Sequence, residues 1–294
     1  MSALRLWVMA ARVRTLPAAI APVLVGTAAA IVAVDELRVG TFIAALLGSV
    51  LIQIGTNLAN DYSDAKRGAD TVERLGPVRV TAAGLVAPRR VLVATWIAFA
   101  ASFAVGAYLA VEVGPEILAI GIVSILAGVF YTGGPRPYGY VGLGELFVFV
   151  FFGLVAVNGS YYVQVEELAL LPLGLSVSVG LLSMAILVVN NVRDLETDRR
   201  SGKRTLAVRL GRERTRTLYG VTVAAAFLSL PPWLLIGDGP GLGLMALATA
   251  PLAIPAARAV RTRTDGPALN GALAQTGAVL GAFSLVLSAA LIAA

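Results

Sequence analysis

Apolar stretches of bilayer-spanning length, separated by short charged connections, run the whole length of this 294-residue chain. We read nine of them, approximately residues 16–34, 41–60, 91–111, 117–131, 144–163, 168–191, 218–236, 242–259 and 269–293. A membrane-spanning helix needs about 20 apolar residues. Hydrocarbon offers no partner to an unpaired N–H or C=O, so only helices and closed barrels cross it. These stretches lack the two-residue alternation of barrel strands and exceed their length of about 10 residues, so they predict helices. The chain is 58% hydrophobic and 14% charged, where soluble domains hold about 25% charged residues. The expected fold is therefore all-α, an integral membrane bundle of nine transmembrane helices in one polytopic domain, residues 1–294. The first residues lack the apolar core and small-residue cleavage site of a signal peptide, so no removable leader is expected.

The basic residues sort to one side of this bundle. With the N-terminus inside, the inner connections hold Arg5, Arg12 and Arg14, then Lys66, Arg67, Arg74, Arg79, Arg89 and Arg90. Arg136 follows, then Arg193 and the run from Arg199 to Arg216, then Arg258, Arg261 and Arg263. Arg38 alone falls outside, where the short connections are mostly acidic. The orientation is N-in, C-out, placing the chain in the cytoplasmic cell membrane as a multi-pass protein. The net charge of +6 then reflects basic inner loops, and no nucleic acid partner is expected. No Cys and no His are present. That excludes disulfides, thiolate catalysis, imidazole acid–base chemistry and Cys/His zinc or haem sites.

Two acidic runs fall at the cytoplasmic ends of predicted helices two and six. The first is Asn57-Leu58-Ala59-Asn60-Asp61-Tyr62-Ser63-Asp64, with Asp70 beyond it. The second is Asn190-Asn191-Val192-Arg193-Asp194-Leu195-Glu196-Thr197-Asp198. Each contains an Asn followed four residues later by an Asp, and the second adds another Asp four further on. On an α-helix that spacing stacks the side chains on one face. Clustered carboxylates repel one another unless a cation lies between them. An oxygen-only donor set suits a hard ion, Mg²⁺ first, and Mg²⁺ shares its coordination shell with phosphate oxygens. Asn60, Asp61 and Asp64 are thus expected to face Asn190, Asp194 and Asp198 across a polar cavity, with Asp70 reaching in from the loop.

The two longest connections, residues 61–90 and 192–217, follow these runs and are expected to cap the site. Arg14, Arg67, Arg136 and Lys203 are candidate cations for a diphosphate. Loss of diphosphate from an allylic isoprenoid leaves a carbocation, which an apolar bundle would shield from water. Tyr62, Tyr131, Tyr138 and Tyr140 are candidates to face that cation or to pack on an aromatic acceptor.

The chain resembles the UbiA-type intramembrane prenyltransferases, and among them the 1,4-dihydroxy-2-naphthoate polyprenyltransferases. The likeness covers nearly its whole length. It rests on Arg12-Val13-Arg14-Thr15-Leu16-Pro17, Asn60-Asp61-Tyr62-Ser63-Asp64, Gly68-Ala69-Asp70 and Arg74-Leu75-Gly76-Pro77-Val78-Arg79. It continues in Tyr131-Thr132-Gly133-Gly134-Pro135-Arg136-Pro137-Tyr138-Gly139-Tyr140, Gly142-Leu143-Gly144-Glu145, the second acidic run, and Gly202-Lys203-Arg204-Thr205-Leu206. The resemblance implies transfer of a polyprenyl group from polyprenyl diphosphate to 1,4-dihydroxy-2-naphthoate, with Mg²⁺ and with loss of carbon dioxide, for menaquinone biosynthesis. Asn60, Asp64, Asn190, Asp194 and Asp198 match its metal–diphosphate positions, and Asp61 and Asp70 match acidic positions of less uniform role. Arg136 falls where relatives hold a Lys or Arg near the substrate, and Lys203 where a basic loop residue meets diphosphate. One departure is Gly68, where many relatives have the motif's final Asp.

The alternatives are another acceptor, such as 4-hydroxybenzoate or homogentisate, or a membrane transporter. Transporters place their acids near the membrane midplane between inverted repeats, whereas these acids fall at one face. The Asp-Gly-initiated motif of CDP-alcohol phosphotransferases is absent from the sequence.

Overall fold

The computed structural model describes residues 2–69 and 75–294, so the expectations placed on Asp70 and Arg74 lie outside the described residues. Thirteen α-helices and four tighter or wider helical segments account for the regular structure, with no strand among the described residues.

A short amphipathic helix, α1 (Ala3–Ala11), opens the chain, capped by the Ser2 hydroxyl accepting from the Arg5 N–H. Arg12 takes a left-handed φ of 53°, and a 3₁₀ turn, Val13–Thr15, leads into α2 (Pro17–Val34). Pro17 sits at the start of α2, where its missing N–H loses no helical bond. Next come α3 (Val39–Lys66), α4 (Pro88–Val113) and α5 (Glu116–Thr132). A connection with a 3₁₀ turn, Tyr138–Val141, joins α5 to a span built from α6 (Gly144–Val148), a π-helical stretch (Phe149–Val155) and α7 (Ala156–Val165).

The long α8 (Leu170–Arg200) is followed by the short α9 (Leu206–Leu210). α10 (Arg212–Leu228) and α11 (Leu230–Ile236) form one span, interrupted where Pro231 and Pro232 cannot supply helical N–H groups. A 3₁₀ stretch (Gly241–Ala253) and α12 (Ile254–Thr262) form the next. Finally α13 (Gly266–Ile292) starts on Asp265, whose carboxylate accepts from the Ala268 N–H.

Eight of these helical units are long and apolar enough to cross a membrane. The other expected span, Glu116–Thr132, has 17 residues, a length of about 25 Å against a hydrocarbon core of about 30 Å. α8 is the central post: its Leu175, Val179, Leu182, Ala185 and Val189 are buried against side chains of α2, α10 and α13 in the main apolar core. α3, α4 and α5 pack together and meet the rest of the bundle through α2 and α7. α2 crosses α7 at Gly26, where a Cβ would lie 2.2 Å from the Val157 carbonyl oxygen.

The motif-bearing helices run further than the hydropathy pattern predicts. α3 continues to Lys66 and α8 to Arg200, so the connections begin at residues 67 and 201 rather than 61 and 192. Asn, Asp and Ser side chains at a helix end do not stop it; a left-handed glycine does. Gly68 (φ 65°) and Gly202 (φ 79°) each lie four residues beyond the last Asp of a motif. Ala69 N–H donates to Asp64 O at 2.9 Å and Gly68 N–H to Ala65 O at 3.1 Å. Lys203 N–H donates to Asp198 O at 2.9 Å and Gly202 N–H to Arg199 O at 3.3 Å. Both are Schellman turns, and Asp64 and Asp198 hold the same place in them.

At the far end of the bundle Arg38 is not idle. Its guanidinium pairs with Glu166 at 2.6 Å and its N–H donates to Gln164 Oε1 at 2.9 Å, tying the start of α3 to the end of α7.

Candidate active site

Equivalent helix ends put equivalent side chains over one cavity. Asn60 and Asp64 from α3 and Asn190, Asp194 and Asp198 from α8 all line it, as do Lys203, Tyr131, Tyr138 and Tyr140. Deeper, the walls turn apolar, with Phe147, Phe151, Val155, Ile186 and Leu187, and reach Leu109, Ile117 and Val163 toward the other end of the bundle. α6 and the π-helical stretch that continues it place Phe147 and Phe151 on this wall, stacked at 6.0 Å between ring centres. The extra width of the π-helical stretch is accommodated by Gly153, which presses on α8 so closely that a Cβ would lie 2.7 Å from Gly180 Cα.

Asp64 is the meeting point of three connections. It accepts from Tyr140 Oη at 2.5 Å and from Arg79 Nη2 at 3.2 Å, and Lys203 Nζ lies 3.5 Å away. All four side chains are largely enclosed. Lys203 also lies 4.0 Å from Asp198 Oδ1 and 4.7 Å from the Tyr140 ring centre. The Schellman turn at Gly202 doubles the chain back and brings this ammonium between the last Asp of each motif. Asn60 Oδ1 accepts from Thr132 at 2.8 Å, and Asn190 Oδ1 from Arg193 at 2.6 Å. Arg193 also grips both oxygens of Asp194, at 2.8 and 2.6 Å.

Not every expected residue reaches the cavity. Asp61 is 1% exposed and points into the neighbouring connection, where it accepts the N–H groups of Val80 (3.1 Å) and Thr81 (3.0 Å). One helical position from Asn60 is a turn of about 100°, enough to carry its carboxylate off the cavity wall. Tyr62 packs with Ala10, Leu58, Val80 and Val86 in a separate apolar cluster. Arg67 is turned outward by the Gly68 bend and donates to the Gly134 carbonyl. Arg136 is exposed between Pro135 and Pro137, and Arg14 faces a different groove beside Asn270 and Gly271. Tyr138 stacks on Phe147 at 3.9 Å and donates to the Ala127 carbonyl at 2.8 Å; burial pushes its phenol pKa well up, so it stays protonated.

Several partners were not foreseen from the sequence as site residues: Arg79, Arg193, Thr132, and the pair formed by Asn191 and Glu145 at 2.7 Å. The Gly four residues after each final Asp was a local signal for the matched turns. Arg79, Thr132 and the Asn191–Glu145 pair join residues 15 to 72 positions apart and left none.

The donor set can be tested against Mg²⁺. Among the described residues no three acidic side chains form a closed cage for an ion. Mg²⁺ rarely uses one; it is held by one or two carboxylates together with substrate phosphate oxygens and water. Two motif-end carboxylates already sharing one cation, Lys203, with Asn60 and Asn190 a turn or two below, fit that habit. Asp64, Asp194 and Asp198, with the two amides, are the residues that could hold it.

The family model described as UbiA prenyltransferase family matches residues 19–274. A Mycobacterium tuberculosis protein named 1,4-dihydroxy-2-naphthoate octaprenyltransferase is 43% identical over 294 residues, covering 97% of this chain and 96% of its own. The Escherichia coli protein of the same name is 37% identical over 286 residues, covering 93% and 91%. Among solved structures, a UbiA homolog from Archaeoglobus fulgidus bound to GPP and Mg²⁺ superposes with a TM-score of 0.68 at 16% identity, covering 98% of this chain and 100% of that one. The apo structure of a UbiA homolog from Aeropyrum pernix gives 0.69 at 15% identity, covering 100% and 98%. At such identities the structural likeness speaks for the fold alone.

Proposed function

As the chain belongs to the UbiA prenyltransferase family, we propose that this multi-pass membrane protein transfers a polyprenyl group from polyprenyl diphosphate to 1,4-dihydroxy-2-naphthoate. The acceptor loses carbon dioxide and becomes demethylmenaquinol, a step of menaquinone biosynthesis. The supporting observation is one cavity with both acidic motifs at its mouth and an apolar wall below. Relatives carrying the naphthoate octaprenyltransferase name align over nearly the whole chain and supply the acceptor. In this reading the nine helices run N-in, C-out in the cell membrane, and the site opens to the cytoplasm.

Mg²⁺, bound with the diphosphate, supplies positive charge that stabilises the leaving group. Asp64, Asp194 and Asp198, with Asn60 and Asn190, hold that charge at the mouth. Lys203 and Arg79 add cationic donors to the diphosphate oxygens as the allylic C–O bond breaks and its electron pair leaves with diphosphate. Phe147, Phe151 and the aliphatic wall keep water from the allylic cation. The acceptor's carboxylated ring carbon forms the new C–C bond. Carbon dioxide then departs and returns its bonding pair to the ring, so no base need remove a ring proton. Tyr131 and Tyr138 flank the entrance, with ring faces or edges available to the cation and the acceptor.

Product analysis of the purified protein in nanodiscs tests this, with Mg²⁺, a polyprenyl diphosphate, and either the naphthoate or 4-hydroxybenzoate. A prenylated, decarboxylated naphthoquinol that forms with Mg²⁺ and disappears with EDTA is expected. Product from 4-hydroxybenzoate alone would keep the mechanism and replace the acceptor. In the same assay Lys203→Ala is expected to raise the apparent KM for the prenyl donor about tenfold or more, the loss of a charge-assisted contact. An unchanged donor KM would remove Lys203 from diphosphate binding.

A further inference from the structure

Arg193 is among the largest fully buried side chains, 2% exposed, in a place where an unpaired charge would be costly. Consecutive residues on a helix point about 100° apart, yet its guanidinium bends back to hold Asp194 through two bonds. The same Nη2 reaches Asn190, one turn earlier. Nη1 donates instead to Asn270 Oδ1 of α13, at 2.7 Å. Asn270 passes the link on: its Nδ2 donates to the Leu75 carbonyl at 3.0 Å. Four residues beyond Leu75, Arg79 reaches Asp64 of the first motif. The start of α13 lies close beneath the same residue, since a Cβ on Gly266 would be 3.0 Å from Leu75 O.

We propose that Arg193 is the positioning residue of the second acidic motif, and that Asn270 relays its placement to the connection covering the first. A carboxylate presents about four lone-pair directions. A two-bond grip uses two of them and orients the remainder, so Asp194 and Asn190 are presented to the cavity as a fixed pair. The planar guanidinium fork can do this and hold Asn270 at once; an ammonium has the charge without that geometry. The two halves of the site are thereby aligned twice, across the cavity by Lys203 and around its back through α13. This rests on the reading of the site as one for a metal diphosphate.

The test compares wild type, Arg193→Lys and Asn270→Ala as full-length purified chains. Calorimetric binding of inorganic diphosphate with Mg²⁺ is measured beside the melting temperature and the Mg²⁺ dependence of turnover. Removing the support behind metal ligands typically costs about 10- to 100-fold in affinity or activity. Arg193→Lys is expected to lose Mg²⁺-dependent diphosphate affinity in that range and to need more Mg²⁺ for half-maximal turnover. Its KM for the aromatic acceptor should not change. Asn270→Ala, which leaves the Arg193–Asp194 pair intact, should show the same pattern at about the lower end of that range. If Arg193→Lys does not fold, Asn270→Ala decides. Wild-type diphosphate affinity in Arg193→Lys overturns the positioning role, and in Asn270→Ala the relay, whatever happens to the melting temperature. Wild type that binds diphosphate with Mg²⁺ but makes no prenylated product would sink the proposed reaction and leave this comparison standing.

Discussion

Asp64→Ala is expected to lower turnover on the order of a thousandfold or more, a loss comparable to removing a principal transition-state charge contact. Asp64 lines the cavity from α3 and receives Tyr140, Arg79 and Lys203 from three separate connections. Removing its carboxylate takes away a candidate metal ligand and the charge that holds those connections together. Breaking one partner of a buried ion pair costs about 3–5 kcal/mol, so some loss of thermal stability should accompany the loss of rate. Asp64→Asn separates the two effects. It keeps the volume and the acceptor for Tyr140 but still takes the charge from beside Arg79 and Lys203, so it should melt between Asp64→Ala and wild type while remaining inactive. Prenyl transfer in nanodiscs and thermal unfolding of the same samples provide the check. Near-normal turnover in Asp64→Asn would contradict a charge-based role for this residue.

Gly26→Ala is expected to destabilise the protein by about 3 kcal/mol, at the upper end for an overpacked core, with no side chain of the site altered. Its Cβ would stand 2.2 Å from the Val157 carbonyl and 3.1 Å from the Tyr161 N–H nitrogen. Those are backbone atoms of α7 and cannot rotate away. In a membrane, helices gain nothing from hydrophobic exclusion and associate through close backbone approach, which is why small residues mark their crossings. Separating α2 from α7 would also disturb the cavity wall, because Ser160 and Val163 of α7 line it. Melting in a mild detergent measures the effect. Gly271→Ala offers a contrast, since no atom lies near enough to its added methyl to obstruct it, and it should melt close to wild type.

The helical class, the placement of the long apolar units and the pairing of two acidic motifs were all legible in the sequence. Each depends on local pattern: hydropathy over a window, a four-residue spacing, the chemistry of an oxygen-only donor set. Even the true ends of α3 and α8 had a local signal, in Gly68 and Gly202. That signal was outweighed by the change from apolar to charged residues, which marks where helices leave an apolar environment and not where they stop. The amphipathic α1, nine residues long, is too short to leave a spanning-length apolar run.

The sequence by itself determined that this chain builds a helical membrane bundle with two matched acidic helix ends. Tertiary structure alone decided which acids meet. Asp61 and Asp64 look equivalent in the motif, yet one anchors backbone N–H groups and the other receives three side chains across the cavity mouth. It also decided which cations count: Lys203 and Arg79 lie inside, whereas Arg14 and Arg136 point elsewhere. And it built the path from Arg193 through Asn270 to Leu75, spanning 195 residues of chain in its second step. Periodicity records which way a side chain leaves its own helix. What it meets there depends on how distant helices cross, and small residues such as Gly26 and Gly153 set those crossings by letting backbones approach.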